Sequence, residues 1–396
     1  MTKKIGCVIA YSKGHNNYGT SLQGYAMLKK IQQLGYNVEV IEYEKRLSLY
    51  EKFLYVINAL RVGDLQTLKR EVYANWAKKR HPQYAQNLKK RTKAVDSYKQ
   101  KKIVPFFYRY VGYKALHEGS KKYDAVVVGS DQVWTPLSLP NKFYNLLFVD
   151  ESVRKIAYAS SFGVNEIPSF QKTATGFYLD RFYKIGVREQ RGKELVDNLS
   201  HQKAQVVADP TLLLTREEWE DEVKENISET TTINKERSEG KPYIFCYLIS
   251  SNAEARKQAQ ILSNQKGLPI ITIRHMEQYR KIDETIGDEA PYAVDPNDFV
   301  RYISHATYVC TDSFHCTVFS IIFHRRFMTF YRTKKSDKNS RNSRIDSLFN
   351  ILGIPQEHIY IDNMIPIDAQ INWDSVDEKL NVLRKESIDF LKNVLK

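Results

Sequence analysis

The chain is poor in cysteine. Its 396 residues hold four, at Cys7, Cys246, Cys310 and Cys316, and none forms a CxxC pair. That spacing argues against a zinc ribbon or a dithiol redox motif. Cys7, Cys246 and Cys310 sit inside apolar, strand-like runs, where reduced cysteines act as small core residues, as a reducing cytoplasm permits. Long apolar runs are missing too, and none approaches the roughly 20 residues of a membrane-spanning helix. The apolar stretch Ile5–Tyr11 is short and is not followed by a small-residue cleavage site, so a buried first strand is expected rather than a signal peptide. GxGxxG is absent, and a dinucleotide site is not indicated. Zinc-finger, RNP and helix-turn-helix signatures are also absent, so nucleic acid is not an expected partner. No cluster of metal-ligand type is visible; neither a metal nor a resident cofactor is expected. The expected location is cytoplasmic, with peripheral contact at the inner face of an anionic plasma membrane.

Acids are scarce in one region. The formal net charge is +14. Residues 61–122 concentrate cations, among them Lys78, Lys79, Arg80, Lys89, Lys90, Arg91, Lys93, Lys99, Lys101 and Lys102. Tyr73, Trp76, Phe106, Phe107 and Tyr110 are interleaved with them. A basic and aromatic helical surface suits an anionic lipid layer. The same pattern also describes a solvated face over a small aromatic core.

What remains is ordinary globular composition, with 42% hydrophobic and 27% charged residues. The length suits two domains. Ile5–Tyr11, the helical spacing over Ser21–Leu34, the stop at Gly35 and the alternation over Val38–Tyr43 read as a βαβ unit with a parallel sheet. Residues 45–120 read as a basic helical insertion. Strands are expected again at Tyr123–Gly129, Lys155–Ser160, Lys184–Arg188 and Gln205–Asp209. After a polar linker near 220–242, a second α/β series follows. Its strands are expected at Tyr243–Ile249, Pro269–Ile273, Thr307–Thr311 and Phe327–Tyr331, and Asp374–Leu395 reads as a closing amphipathic helix. The expected fold is therefore α/β: two Rossmann-like domains, 1–235 and 236–396, facing a cleft in the glycosyltransferase-B arrangement.

In parallel sheets, ligands bind beyond the carboxyl ends of the strands. The polar residues expected there are the candidates. Asn17, Tyr18, Gly19 and Gln23 follow the first strand in a loop that opens a helix, where free N–H groups can meet an anion or a sugar. Gly129-Ser-Asp-Gln-Val-Trp134 brings Asp131, Gln132 and Trp134 to a strand end; Asp131 can accept from a sugar hydroxyl, act as a base, or cap the next segment. Arg188 ends a buried strand and needs an anion, either a ligand or an internal carboxylate such as Glu189 or Asp209. Asp312-Ser-Phe-His315 turns from strand to helix, placing His315 where proton exchange near pH 7 is feasible. Arg332–Arg344 is a basic loop that can close over a phosphorylated ligand.

Asn17–Gln23, Tyr123–Trp134, Gly186–Glu189, Asp209-Pro210, Thr311–His315 and Ser343–Ile345 together resemble the polysaccharide pyruvyl transferases, in family order over nearly the whole chain. The resemblance implies transfer of a pyruvyl unit from phosphoenolpyruvate, as co-substrate, to two hydroxyls of a saccharide acceptor, often lipid-linked, in surface-polysaccharide assembly. It implies catalytic roles for His315 and Asp131. Donor contacts would come from Arg188, Ser313, Lys334, Lys335 and Arg344, and acceptor contacts from Asn17, Tyr18, Gly19, Gln23, Gln132 and Trp134. One position departs from the pattern: many members carry arginine where this chain has Ser313. A glycosyltransferase-B enzyme using a nucleotide sugar, or a non-catalytic module binding a membrane or polyanion, are the alternatives.

Overall fold

The computed structural model describes residues 2–11, 14–45, 48–63, 65–139, 142–224, 240–332, 342–360 and 367–396. The expected domain boundary at 235/236 falls outside them.

The first sheet has seven strands in the order β3-β2-β1-β4-β5-β6-β7, every neighbouring pair parallel. β1 is Lys4–Val8. It leads into α1, Tyr18–Gln33, and then β2, Asn37–Glu44. Three helices follow: α2, Leu49–Val62, α3, Leu65–Arg80, and α4, Pro82–Lys102. β3 is Phe107–Val111, β4 Ala125–Val128, β5 Arg154–Ser160, β6 Lys184–Val187 and β7 Ala204–Val206. The second sheet has five parallel strands in the order β12-β11-β10-β8-β9. β8 is Ile244–Tyr247, β9 Ile270–Thr272, β10 Tyr308–Thr311, β11 Arg326–Phe330 and β12 Ile359–Tyr360.

The central strands are apolar on both faces, as helix-covered parallel strands must be. β4 is Ala-Val-Val-Val and buried throughout. All four cysteines are free and buried, and Cys246 and Cys310 lie in register on β8 and β10.

The segment 45–120 departs from the expected insertion. Its helical part is present, but Phe107–Val111 pairs with β2 and extends the sheet. Of this edge strand Tyr110 alone is buried, so its apolar pattern is faint. Phe106, Phe107 and Tyr110 therefore belong to the sheet side, with Phe107 edge-on to Tyr11 at 4.7 Å between centroids.

α1 joins the two sheets. Tyr18 stacks on Phe299 at 4.6 Å and donates to the Val294 carbonyl. α4 also spans them. The buried Arg91 donates to the carbonyls of Tyr292, Pro291 and Arg274. The last helix, Trp373–Leu395, returns to the first sheet, where Ser387 accepts from the Ala208 amide at 2.8 Å and Phe390 lies near Tyr158.

Candidate functional site

Each sheet has a point where the chain leaves adjacent strands in opposite directions. In the first it lies between β1 and β4, and in the second between β8 and β10. Crevices at such points are the binding places of open parallel sheets. Here the residues from the two points meet.

At the first, the Asn17 side chain caps α1 by accepting from the Thr20 amide. Thr20 donates its hydroxyl to Asp131 at 2.7 Å. Asp131 has φ of +87°, a conformation that a non-glycine residue adopts at a cost. It forms a bridge with Ser160 beside a register shift in β5. Burial opposes the charge of Asp131, but Arg188, His315 and the Thr20 hydrogen bond outweigh it and hold the carboxyl below its usual value.

At the second, the Asp312 carboxylate accepts from the Ile249 and Ser250 amides and ties β10 to β8. Ser313 caps the helix Phe314–Ile322, accepting from the Cys316 amide. His315 follows in the first turn and is 7% exposed. Its ring lies on the first turn of α1. A Cβ added at Gly19 would stand 2.0 Å from His315 Nδ1, so this approach needs glycine.

Asp209 is the hub. Its buried carboxylate accepts from Arg188 Nη1 at 2.9 Å, Ser130 Oγ at 3.0 Å, and the amide and hydroxyl of Thr211 at 3.0 and 2.7 Å. His315 Nε2 stands 3.6 Å from the oxygen that Arg188 holds. Burial opposes the Asp209 charge, but His315 and Arg188 prevail and keep the carboxyl far below its usual range. Arg188 is buried, with Glu189 at 3.8 Å; burial opposes its charge, and Asp209, Glu189 and Asp131 outweigh that to raise its pKa. Its guanidinium lies 4.7 Å from the centre of the Phe314 ring, and that of Arg344 lies 5.6 Å from the same ring. Among the described residues, Arg188 Nε and Nη2, His315 Nε2 and Glu189 Oε2 are buried without hydrogen-bond partners. Unused donors on a buried arginine carry a real cost, and a bound anion would remove it.

The sequence candidates separate into groups. Asp131, Arg188 and His315 come together around Asp209, with Gly19 against His315 and Arg344 against Phe314. Ser313 serves as a helix cap. Asn17 caps α1, and Gln132 is half-buried against Gly163, where an added Cβ would approach its amide carbon to 2.9 Å. Tyr18, Gln23 and Trp134 are core residues rather than cleft-facing ones. Gln23 is fully buried and donates to the Thr20 carbonyl. Trp134 is 4% exposed among Phe162, Tyr178 and Phe182, its indole N–H spent on the Tyr144 carbonyl. A side chain so enclosed has no face for a sugar. Lys334 and Lys335 lie outside the described residues. The sequence names Asp209 and Glu189 only as internal carboxylates for Arg188, as they are here, and gives no individual role to Thr20, Ser130 or Phe314; the strand-ending Asp209-Pro210 pair is the further signal for Asp209.

A sequence profile of the polysaccharide pyruvyl transferases matches residues 17–333. The chain belongs to that family. The matched span begins at the α1 cap and takes in Asp131, Arg188, Asp209 and His315, while Arg344 lies beyond it. No curated protein sequence matches the chain significantly. Solved structures with a similar fold include the UDP-GlcNAc 2-epimerase of Methanocaldococcus jannaschii, at TM-score 0.50 and 10% identity over 96% of this chain and 92% of that one. Another UDP-N-acetylglucosamine 2-epimerase gives 0.52 and 8% identity over 98% and 95%. At such identities the likeness is one of fold: two Rossmann-like units of the glycosyltransferase-B kind. As a pyruvyl transferase family member, the chain is a transferase that acts on saccharide, and the Arg188–Asp209–His315 cluster is its candidate centre.

Proposed function

We propose that the chain transfers pyruvyl from phosphoenolpyruvate to two hydroxyls of one sugar in a lipid-linked surface-polysaccharide precursor, forming a cyclic ketal and phosphate. The observation that supports this most is the set of unpartnered donors on buried Arg188 and His315 beside a common carboxylate. Phosphoenolpyruvate carries a carboxylate and a phosphate. Arg188 and Arg344, on the Phe314 ring, supply two guanidinium groups suited to such anions.

In the proposed reaction His315 gives a proton to the methylene carbon of the donor, and positive charge develops at the neighbouring carbon. Asp131 and Glu189 are the carboxylates assigned in this reading to ease that charge. Asp131, held anionic, suits charge stabilisation and orientation of the hydroxyl better than strong proton abstraction. The first sugar hydroxyl adds and its proton restores the acid. Phosphate then leaves with its bonding electrons. The second hydroxyl closes the ring, and its proton goes to phosphate. The rest of the acceptor is assigned to a cavity of about 350 Å³ beyond β9, lined by His81, Tyr84, Arg274, Tyr279 and Arg280 among others. Arg280 donates to the Ile249 carbonyl, next to the Asp312 turn, which links this cavity to the centre.

Phosphate release from phosphoenolpyruvate, measured with a panel of lipid-linked and nucleotide-linked saccharides, tests the reading. Release should require an acceptor and should be lost in His315→Ala. Absence of release with every acceptor, together with transfer from a nucleotide sugar, would replace it.

A further inference from the structure

α2 wears its apolar side outward. Leu49 is 85% exposed, Tyr50 68%, Phe53 59% and Leu60 53%, and Leu54 and Val56 are also exposed. At about 100° per residue, these six positions fall on one arc of roughly 160°. The opposite arc meets the protein along a narrow line, with Tyr55 on it still 39% exposed. It carries buried Ala59, half-buried Val62, and Asn58, whose amide donates to the Pro136 carbonyl and accepts from Gln171. The helix is well ended, by a Ser48–Glu51 capping box and by Gly63 in the left-handed conformation. An amphipathic helix normally turns its apolar face to the core; this one keeps six large apolar side chains on its exposed arc and is held by Asn58, Ala59 and Val62. Exposed apolar surface of this extent marks an interaction site.

Charge indicates what covers it. α2 packs on α3, and α3 on α4. Over Tyr73–Lys101, the exposed charged side chains are Lys78, Lys79, Arg80, Lys89, Lys90, Lys93 and Lys101, all cations. Trp76 and Tyr73, residues suited to a lipid headgroup layer, are exposed among them. We infer that α2 is an in-plane anchor that inserts Leu49, Phe53, Val56 and Leu60 into an anionic bilayer while the α3–α4 cations hold its headgroups. Among the described residues no helix is long and apolar enough to cross a membrane, so the anchor lies on the surface. The inference rests on the proposed function only for its purpose, which is to bring the centre to a lipid-linked acceptor.

The test is co-sedimentation of the full chain with vesicles of phosphatidylcholine alone or mixed with phosphatidylglycerol, without donor or acceptor. Binding should require phosphatidylglycerol, weaken with salt, and fall at least tenfold in Phe53→Glu/Leu60→Glu. A Phe53→Trp chain, which keeps the apolar face, should show tryptophan fluorescence quenched by brominated lipid more strongly than wild type does. Phosphate release with a water-soluble acceptor should be the same in wild type and the double variant, so a failed membrane test and a failed reaction are distinguished. Equal binding by wild type and double variant, or no added quenching in the Phe53→Trp chain, would overturn the inference. So would a wild-type dimer that the double variant dissociates, since a second copy would then cover the face.

Discussion

At Gly19 the missing side chain is what lets His315 lie on α1. Alanine there must displace the imidazole, because its Cβ would sit 2.0 Å from Nδ1. Misplacement of a reacting group by about 1 Å can cost around 100-fold in rate. Gly19→Ala is therefore expected to lower kcat by at least about tenfold with little change in the far-ultraviolet circular dichroism, and an unchanged kcat would remove His315 from the chemistry. Arg188 answers to stability as well as activity. Removing it leaves Asp209 and Glu189 as buried charges, so Arg188→Met should cost about 3–5 kcal/mol in urea unfolding. Arg188→Lys should recover part of that stability but not the activity, because lysine lacks the planar fork. Burial opposes the charges on Asp209 and Asp131, but the neighbouring Arg188 and His315 win, and both carboxyls lie below the unfolded value of about 3.9. The stability they contribute is complete above that value and is lost as pH falls toward their folded values. Unfolding midpoints between about pH 7 and about pH 3 should thus fall more steeply for wild type than for Asp209→Asn; parallel curves would contradict this linkage. Strand-end position made Asp131, Arg188 and His315 legible in the sequence. It did not separate Trp134, Tyr18 or Gln23 from them, because chain order does not say which side chains near a turn point inward. Asp209 was legible only as an internal carboxylate for Arg188; its contact with Ser130, 79 residues away, is what chain order does not show.

Elements with a strong period were legible and weak ones were not. The closing helix, expected over Asp374–Leu395, runs from Trp373 to Leu395. β3 was hidden because an edge strand buries little and alternates faintly. The basic stretch around α4 shows a different limit. Charge count does not reveal which cations are buried: Lys89, Lys90 and Lys93 face solvent, whereas Arg91 and Lys99 are spent on backbone carbonyls, Lys99 on that of His15 at 2.6 Å. Arg91→Ala strips donors from three carbonyls between Arg274 and Tyr292 and should cost about 2–4 kcal/mol. Phosphate-release kinetics should also show weakened acceptor binding, because Arg274 and Tyr292 line the β9 cavity. A loss of stability with an unchanged acceptor KM would detach the cavity from the reaction.

For the whole molecule, two parallel sheets were predictable from alternating strand and helix patterns, but their union was not. The joint is made by α1 between the sheets, by α4 clasping the 274–292 loop, and by the terminal helix returning to β5 and the Ala208 amide. These contacts are far apart in sequence, and they bring Asp131 from one crevice to His315 from the other. In the proposed reaction this meeting point protonates phosphoenolpyruvate and joins its carbon skeleton to a sugar. Run in deuterium oxide with an active acceptor, the reaction should yield one phosphate per ketal and a product methyl group carrying one solvent deuterium, read by mass spectrometry and proton NMR, with neither product from His315→Ala. A ketal methyl free of solvent deuterium, or full turnover by His315→Ala, would contradict the account.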